Sequence, residues 1–106
     1  TTGEQEKDWI YIDDIVAGFQ ALLRAELLPG TTVELGTGRA TRVADVVEEL
    51  YGIVRHGGRP IIGAIPNRPG EAPRQIADAK QTAATINWRA DLSLSEGLRK
   101  LVNSAT

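Results

Sequence analysis

Cysteine and methionine are absent from this chain of 106 residues, which has a single histidine, two tryptophans, two tyrosines and one phenylalanine. Without cysteine, neither a disulfide framework nor a thiolate metal site can form. No apolar run approaches membrane-spanning length and the N-terminus lacks the features of a signal peptide, so we expect a cytoplasmic protein without a membrane partner. The formal net charge of −2 argues against a nucleic-acid-binding protein, which normally has a basic excess.

The remaining composition is that of one small globular domain, which we expect to span residues 1–106. Hydrophobic residues make up 42% of the chain and charged residues 25%. A domain of this size buries only a moderate core, so the loss of a packing partner would expose apolar surface. Because the chain begins with Thr1 rather than Met, we expect it to be a piece of a longer protein.

The longest apolar stretch follows Asp13 and Asp14 and predicts a first helix that continues to Leu28. One of the two aspartates is expected to cap this helix, and Pro29 with Gly30 to end it. Adjacent residues at a helix start do not face each other, so the two aspartates predict neither a metal site nor an acid–base pair. The expected buried stripe consists of Ile15, Val16, Phe19, Leu22, Leu23 and Leu27.

Three more helices and about three short strands are predicted along the rest of the chain. The second helix spans residues 41–52 with Thr41 as N-cap, the third spans 78–86 from an Asp78 cap, and the last starts at the capping box 93–96. Alternating or short apolar runs predict strands at residues 9–12, 32–35 and 61–65. These elements predict an α/β fold, or α+β for the chain in isolation.

A glycine turn, Gly36-Thr37-Gly38, lies between a predicted strand and a predicted helix. The third glycine of a G-x-G-x-x-G dinucleotide fingerprint would fall at position 41, which is Thr41. The match fails where helix and strand must pack closely, so a simple strand-to-helix turn is the favoured interpretation.

Basic residues are concentrated between residues 51 and 75. The four arginines and the single acid of this stretch are Arg55, Arg59, Arg68, Arg74 and Glu71. Such a local excess suits a small anionic ligand better than a polymer. Arg68 precedes the constrained pair Pro69-Gly70, and its guanidinium fork matches phosphate oxygens, although the residues alone favour a solvent-exposed loop arginine. His56 has no partner at metal or catalytic spacing, so it predicts neither kind of site.

Four motifs in series resemble the extended short-chain dehydrogenase/reductase family of NAD-dependent nucleotide-sugar epimerases and dehydratases. The segment 7–14, Lys-Asp-Trp-Ile-Tyr-Ile-Asp-Asp, resembles the family's RD-aromatic-aliphatic-Tyr/His-Val-x-Asp segment. The turn at 36–38 resembles its N-x-G-x-G turn, the loop at 68–71 its R-x-G-D loop with glutamate for aspartate, and Trp88 its LGW segment. The resemblance covers residues 3–102 and implies the C-terminal, substrate-binding portion of a Rossmann-type enzyme without its dinucleotide-binding half.

That resemblance also implies a substrate, which is a nucleotide-diphosphate sugar. Arg68 is expected to contact the diphosphate, and Lys7 takes the place of the arginine of the RD pair, keeping its charge but losing the planar fork. Arg74 and Tyr11 are further candidates for the substrate pocket. Trp9 is expected to pack or to frame the pocket, and Trp88 to anchor the packing. The strand at 32–35 would join the parallel sheet of the missing Rossmann domain.

The proton-transfer pair Tyr-x-x-x-Lys of this family is not in the chain. Residues four positions after Tyr11 and Tyr51 are Ile15 and Arg55. By the resemblance, NAD binds to the missing N-terminal domain, so this chain alone is expected to have no catalytic residue, no metal and no activity. Two other classes stay open on the residues: a stand-alone module that binds a phosphate ligand without turnover, and a structural domain that self-associates through apolar edges.

Overall fold

The computed structural model describes residues 2–55, 58, 60–63, 66, 69–70 and 72–105. These residues form four helices and one three-stranded sheet, which confirms the predicted class and number of elements. In chain order they are β1 (Glu6–Lys7), α1 (Ile12–Arg24), β2 (Thr41–Arg42), α2 (Val43–Val54), β3 (Arg74–Gln75), α3 (Ala79–Ile86) and α4 (Leu94–Ala105).

The sheet is a short junction between segments that are far apart in the chain. Its strand order is β2-β1-β3, and each strand has two residues. β1 is antiparallel to β2, with Lys7 opposite Thr41, and parallel to β3, with Lys7 opposite Gln75. The backbone N–H of Glu6 also donates to the Pro73 carbonyl at 2.9 Å. β1 is therefore the central strand that gathers residues from the middle and the end of the chain.

The predicted strand positions are wrong, although their number is right. Residues 9–11 are in no ladder and Ile12 already belongs to α1, while residues 32–35 are irregular. Residue 61 is irregular, residues 62–63 form a turn, and Ala64 and Ile65 lie outside the described residues. A strand exists only where a second backbone accepts and donates its hydrogen bonds, and alternation in one segment does not supply that partner.

Helix α1 is shorter than predicted and is not capped by an aspartate. Its N-cap is Tyr11, which makes no side-chain capping bond, and it ends at Arg24, before the predicted stop at residues 29–30. Asp14 is buried instead, and its Oδ2 accepts the backbone N–H of Leu92 at 3.0 Å. The capping prediction was wrong because this carboxylate turns toward the segment before α4.

Half of the predicted buried stripe lies in solvent. Val16, Phe19 and Leu23 are 49%, 57% and 88% exposed, and Ile12 on the same face is 61% exposed. The helix packs instead through Gly18, where an added Cβ would lie 3.1 Å from Leu35 and 3.2 Å from Trp88. The half-buried members of the predicted stripe are Ile15, Leu22 and Leu27. We call the exposed set at 12, 16, 19 and 23 the α1 stripe.

The small core lies around α2, α3 and α4. Its buried apolar side chains in the described residues are Ala44, Val46, Ile86 and Leu98. α2 packs against α4, and the Ser95 hydroxyl donates to the Glu49 carboxylate between them. Thr41 lies in β2 rather than capping α2, and Gly52 lies inside that helix, which ends two residues later. No helix in the described ranges combines the length and apolar character needed to cross a bilayer.

The two locally encoded helix starts are confirmed. The Asp78 side chain accepts the N–H of Gln81 at 3.2 Å at the start of α3. At α4, the N–H of Ser93 donates to Glu96 Oε1 at 3.0 Å, and the N–H of Glu96 donates to Ser93 Oγ at 3.2 Å. This reciprocal pair is the predicted capping box.

Candidate functional site

Lys7 lies at the junction of the sheet, and its ammonium group is held by the segment that precedes and includes β3. Its Nζ donates to the Ala72 carbonyl at 3.3 Å and to Gln75 Oε1 at 3.1 Å. An ammonium group has three N–H donors, and these bonds to described residues use two of them. Lys7 is half-buried.

Arg74 lies on the strand next to Lys7, at the position opposite Glu6. Its Nε is 3.0 Å from Glu6 Oε2, and the arginine side chain is 65% exposed. Exposed ion pairs contribute little stability, so this pair can open when a stronger anion arrives. The sheet thus brings two of the predicted site residues, Lys7 and Arg74, onto adjoining strands.

Arg68, the principal predicted phosphate ligand, lies outside the described residues, as do Arg59, His56 and Glu71. Roles predicted for them stay predictions. Gly70, just after the arginine, adopts a left-handed backbone with φ +77°, as the predicted constrained turn requires. The remaining arginine of the basic stretch, Arg55, ends α2 in a left-handed conformation and donates from Nε to the Gly52 carbonyl at 3.1 Å.

Tyr11 lies away from Lys7, between α1 and α4. An added Cβ at Gly97 would be 3.4 Å from Tyr11 Cβ, and Lys100 Nζ is 5.9 Å from the centroid of the tyrosine ring. The Tyr11 carbonyl accepts the N–H groups of Asp14 and Ile15 at the start of α1. These contacts make it a packing residue, and its predicted place in the pocket stays a prediction.

Asp8 makes four hydrogen bonds that the sequence analysis missed. Its Oδ1 accepts the Thr37 N–H at 2.8 Å and the Thr37 hydroxyl at 2.6 Å. Its Oδ2 accepts the Gly38 N–H at 2.8 Å and the Ala77 N–H at 3.1 Å. We call this arrangement the Asp8 clasp. The signal that could have found it is the glycine turn, whose inner amides need an acceptor.

The chain bends at 36–38, where the glycines are required by packing, but the strand predicted before this turn and the Thr41 cap predicted after it do not form. A Cβ at Gly36 would lie 2.5 Å from Ala77 Cβ and 2.7 Å from Asp8 Oδ2. Gly38 has φ +78°, and a Cβ there would lie 2.8 Å from Ala79 Cβ. Because the turn's amides donate to Asp8 and its glycine surfaces contact the start of α3, the turn does not fit a dinucleotide pyrophosphate.

Apart from the Lys7 region, a cleft of about 560 Å³ lies beside the glycine turn. It is lined by Trp9, Arg39, Arg89 and the residues around the start of α4. The Trp9 indole N–H donates to the Thr41 carbonyl at 3.1 Å, which fixes the ring at this cleft. The lining also includes the carboxylates of Glu49, Asp91 and Glu96, so the cleft has no dominant charge. None of Lys7, Arg74 and Tyr11 lines it.

Two carboxylates outside the Lys7 region have shifted pKa values. The bidentate Arg42 guanidinium, 2.9 and 3.0 Å from the two oxygens of Asp45, lowers the pKa of that carboxyl. The N–H and hydroxyl of Ser93 lower the pKa of Glu96. Both pairs lie at helix starts and stabilise them. No cluster of three or more His, Cys, Asp or Glu that could hold a metal occurs in the described part of the chain.

No protein-family model matches the chain, whereas individual proteins do. CDP-abequose synthase of Salmonella typhimurium is 30% identical over 106 residues, which cover 96% of this chain and 35% of that protein. UDP-glucose 4-epimerase of Thermotoga maritima, solved with UDP-glucose, superposes with a TM-score of 0.86 at 27% identity, over 97% of this chain and 32% of that one.

The UDP-glucose 4-epimerase of Bifidobacterium longum, solved with NAD+ and UDP, superposes with a TM-score of 0.81 at 25% identity, over 93% of this chain and 29% of that one. The chain thus spans about a third of the length of the proteins it matches. The matched part is their C-terminal portion.

Proposed function

Since the chain belongs to the extended short-chain dehydrogenase/reductase family, whose members it matches over their C-terminal portion, we propose that it binds the nucleotide sugar of an NAD-dependent epimerase or dehydratase. The observation that carries this proposal is the superposition on an epimerase solved with UDP-glucose. That protein is matched over 97% of this chain, which supports a shared backbone for the two.

The position of Lys7 supports a diphosphate site at the sheet junction. Its ammonium is tethered to the Ala72 carbonyl and the Gln75 side chain, and we assign its third N–H donor to an oxygen of the substrate. Arg74 on the neighbouring strand adds positive charge, and it can give up its exposed ion pair with Glu6 to bind the diphosphate instead. Arg68, which precedes this segment in the sequence, is the proposed bidentate ligand of the diphosphate.

The α1 stripe supports the proposal that a further domain completes the enzyme. Four large apolar side chains on one helix face are about half to nine-tenths exposed, at spacings that suit a packed partner. We assign this face to the dinucleotide-binding half, which supplies the NAD site and the Tyr-x-x-x-Lys pair.

In this arrangement the chain orients the substrate and takes no part in bond making. NAD, held by the other domain, supplies the hydride chemistry when it is bound. Anchoring the diphosphate fixes the sugar so that its reacting carbon faces the nicotinamide, which converts an encounter into a positioned reaction. The chain by itself is then without activity, and the parent enzyme is cytoplasmic.

The test is a calorimetric titration of this chain with UDP, UDP-glucose and dTDP at low salt. Arg68→Ala and Lys7→Ala each remove a charged hydrogen bond worth about 1.5–3 kcal/mol, so each should weaken binding roughly 10- to 100-fold. Lys80→Ala is the matched control, because Lys80 is an exposed lysine on α3 that changes the net charge equally. Absence of heat with every ligand, or equal losses in all three variants, would contradict the proposal.

A further inference from the structure

We propose that Asp8 is a positioning residue for the phosphate site, because its carboxylate holds the segment 72–77 in place beneath Lys7. This inference rests on the proposed function and adds to it a residue that does not contact the ligand. Lys7 itself supplies the positive charge of the site, and the Asp8 clasp sets the direction in which its ammonium group points.

The first step is that residues 7 and 8 hold the two ends of one segment. Lys7 Nζ donates to the carbonyl of Ala72 and to the side chain of Gln75, and Asp8 Oδ2 accepts the N–H of Ala77. Between them, β3 pairs with β1, with Lys7 opposite Gln75. The segment 72–77 is thus tied to residues 7 and 8 at its start, middle and end.

The second step is that the clasp has no slack. A carboxylate has about four acceptor sites, and all four are used by Thr37, Gly38 and Ala77. The space behind it is closed, because a Cβ at Gly36 would lie 2.7 Å from Asp8 Oδ2 and 2.5 Å from Ala77 Cβ. The position of Ala77 is therefore set by Asp8 and the turn together.

An amide at position 8 would disrupt the clasp. In Asp8→Asn the volume is kept, but the NH₂ group faces N–H or O–H donors where the aspartate presented an oxygen. Where the NH₂ group replaces Oδ2, the Gly38 and Ala77 bonds are lost and the segment is released from residue 8; where it replaces Oδ1, the bond from the Thr37 N–H is lost and the turn is released instead. In either case the tethers of Lys7 are less firmly placed, so part or all of the roughly 10- to 100-fold contribution of its charged hydrogen bond should be lost.

The test compares Asp8→Asn with Asp14→Asn in the UDP titration described above, at a temperature where circular dichroism shows both variants folded. Asp14, on α1, is the matched control. Like Asp8, it is a packed carboxylate that accepts a backbone N–H, in this case from Leu92, but it is not part of the clasp. Asp8→Asn should weaken UDP binding at least 10-fold, and Asp14→Asn should leave the dissociation constant within about twofold.

A double-mutant cycle separates positioning from a general loss of structure. If Asp8 acts through Lys7, then Asp8→Asn in the Lys7→Ala background should cost less than threefold, whereas Asp14→Asn should remain additive. Amide exchange should speed up at Thr37, Gly38 and Ala77 in Asp8→Asn only. Wild-type affinity in Asp8→Asn, or full additivity with Lys7→Ala, overturns this inference while leaving the phosphate site intact. Failure of the wild-type chain to bind UDP overturns the proposed function and this inference together.

Discussion

Adding one methyl group at Gly36 should destabilise the chain strongly. The new Cβ of Gly36→Ala would lie 2.5 Å from Ala77 Cβ, where ordinary contacts are 3.4–4 Å, and 2.7 Å from Asp8 Oδ2. Ala77 must therefore move by about 1 Å, and overpacking of this kind costs about 1–3 kcal/mol. That movement also lengthens the Ala77 bond to the Asp8 carboxylate, and a charged hydrogen bond contributes about 1.5–3 kcal/mol.

Alanine also restricts the unfolded chain, which raises the free energy of unfolding by about 0.4–1 kcal/mol. The net decrease in the free energy of unfolding should therefore be about 2–5 kcal/mol. The whole domain has about 5–15 kcal/mol of stability, so this single methyl removes a large share. Urea unfolding followed by far-ultraviolet circular dichroism should show a midpoint about 1–3 M lower than that of the wild type.

The control is Gly52→Ala, in the exposed interior of α2, where an added Cβ has nothing within 4 Å. That variant should be about 0.5–1 kcal/mol more stable, since alanine is the better helix former. An unchanged midpoint for Gly36→Ala would refute the close packing of the turn against α3. Equal losses in the two variants would refute the assignment of the effect to contacts at Gly36.

Three further outcomes are expected. Ser93→Ala removes the acceptor of the Glu96 N–H and should cost about 1 kcal/mol in urea unfolding, and a cost near zero would argue against the capping box in solution. The pKa of Glu96 is lowered by folding, so its contribution is complete above 4.5, its ordinary value, and is lost as the pH falls through the lower folded pKa. The free energy of unfolding should therefore fall less steeply with decreasing pH in Glu96→Gln than in the wild type. An identical decrease in both proteins would exclude this carboxylate as a cause of the acid dependence. Leu23→Lys, at a side chain 88% exposed, should change stability by less than about 0.5 kcal/mol, and any self-association of the isolated chain through the uncovered α1 stripe should fall in sedimentation velocity. If association is as strong as in the wild type, the contact between the copies does not involve the α1 stripe.

The elements that could be predicted from the sequence are those whose signals are local. The caps of α3 and α4 join residues three apart, as in Asp78 with Gln81 and Ser93 with Glu96, so a few letters determine them. The four motifs that carried the family resemblance are likewise short, and they were enough to identify the C-terminal portion.

The elements that could not be predicted depend on distant partners. The two-residue strands exist because residues 6–7 find 41–42 and 74–75, and nothing within any one pair of letters shows this pairing. The α1 stripe has the correct helical spacing, but spacing does not tell which face meets a partner in this chain. Asp8 was missed for the same reason, because its acceptor role depends on residues 29 and 69 positions away.

The Asp8 clasp also sets the order in which the chain can fold. Ala77 leaves the ribosome 69 residues after Asp8, which at 5–20 residues per second is a delay of roughly 3–14 s. During that interval β1 has no parallel neighbour, and closure then requires a contact between residues 69 positions apart, which forms more slowly than the local contacts within one helix. The site around Lys7 can therefore form only after the segment 72–77 has emerged, which is later than the α2 helix and the glycine turn but earlier than α4.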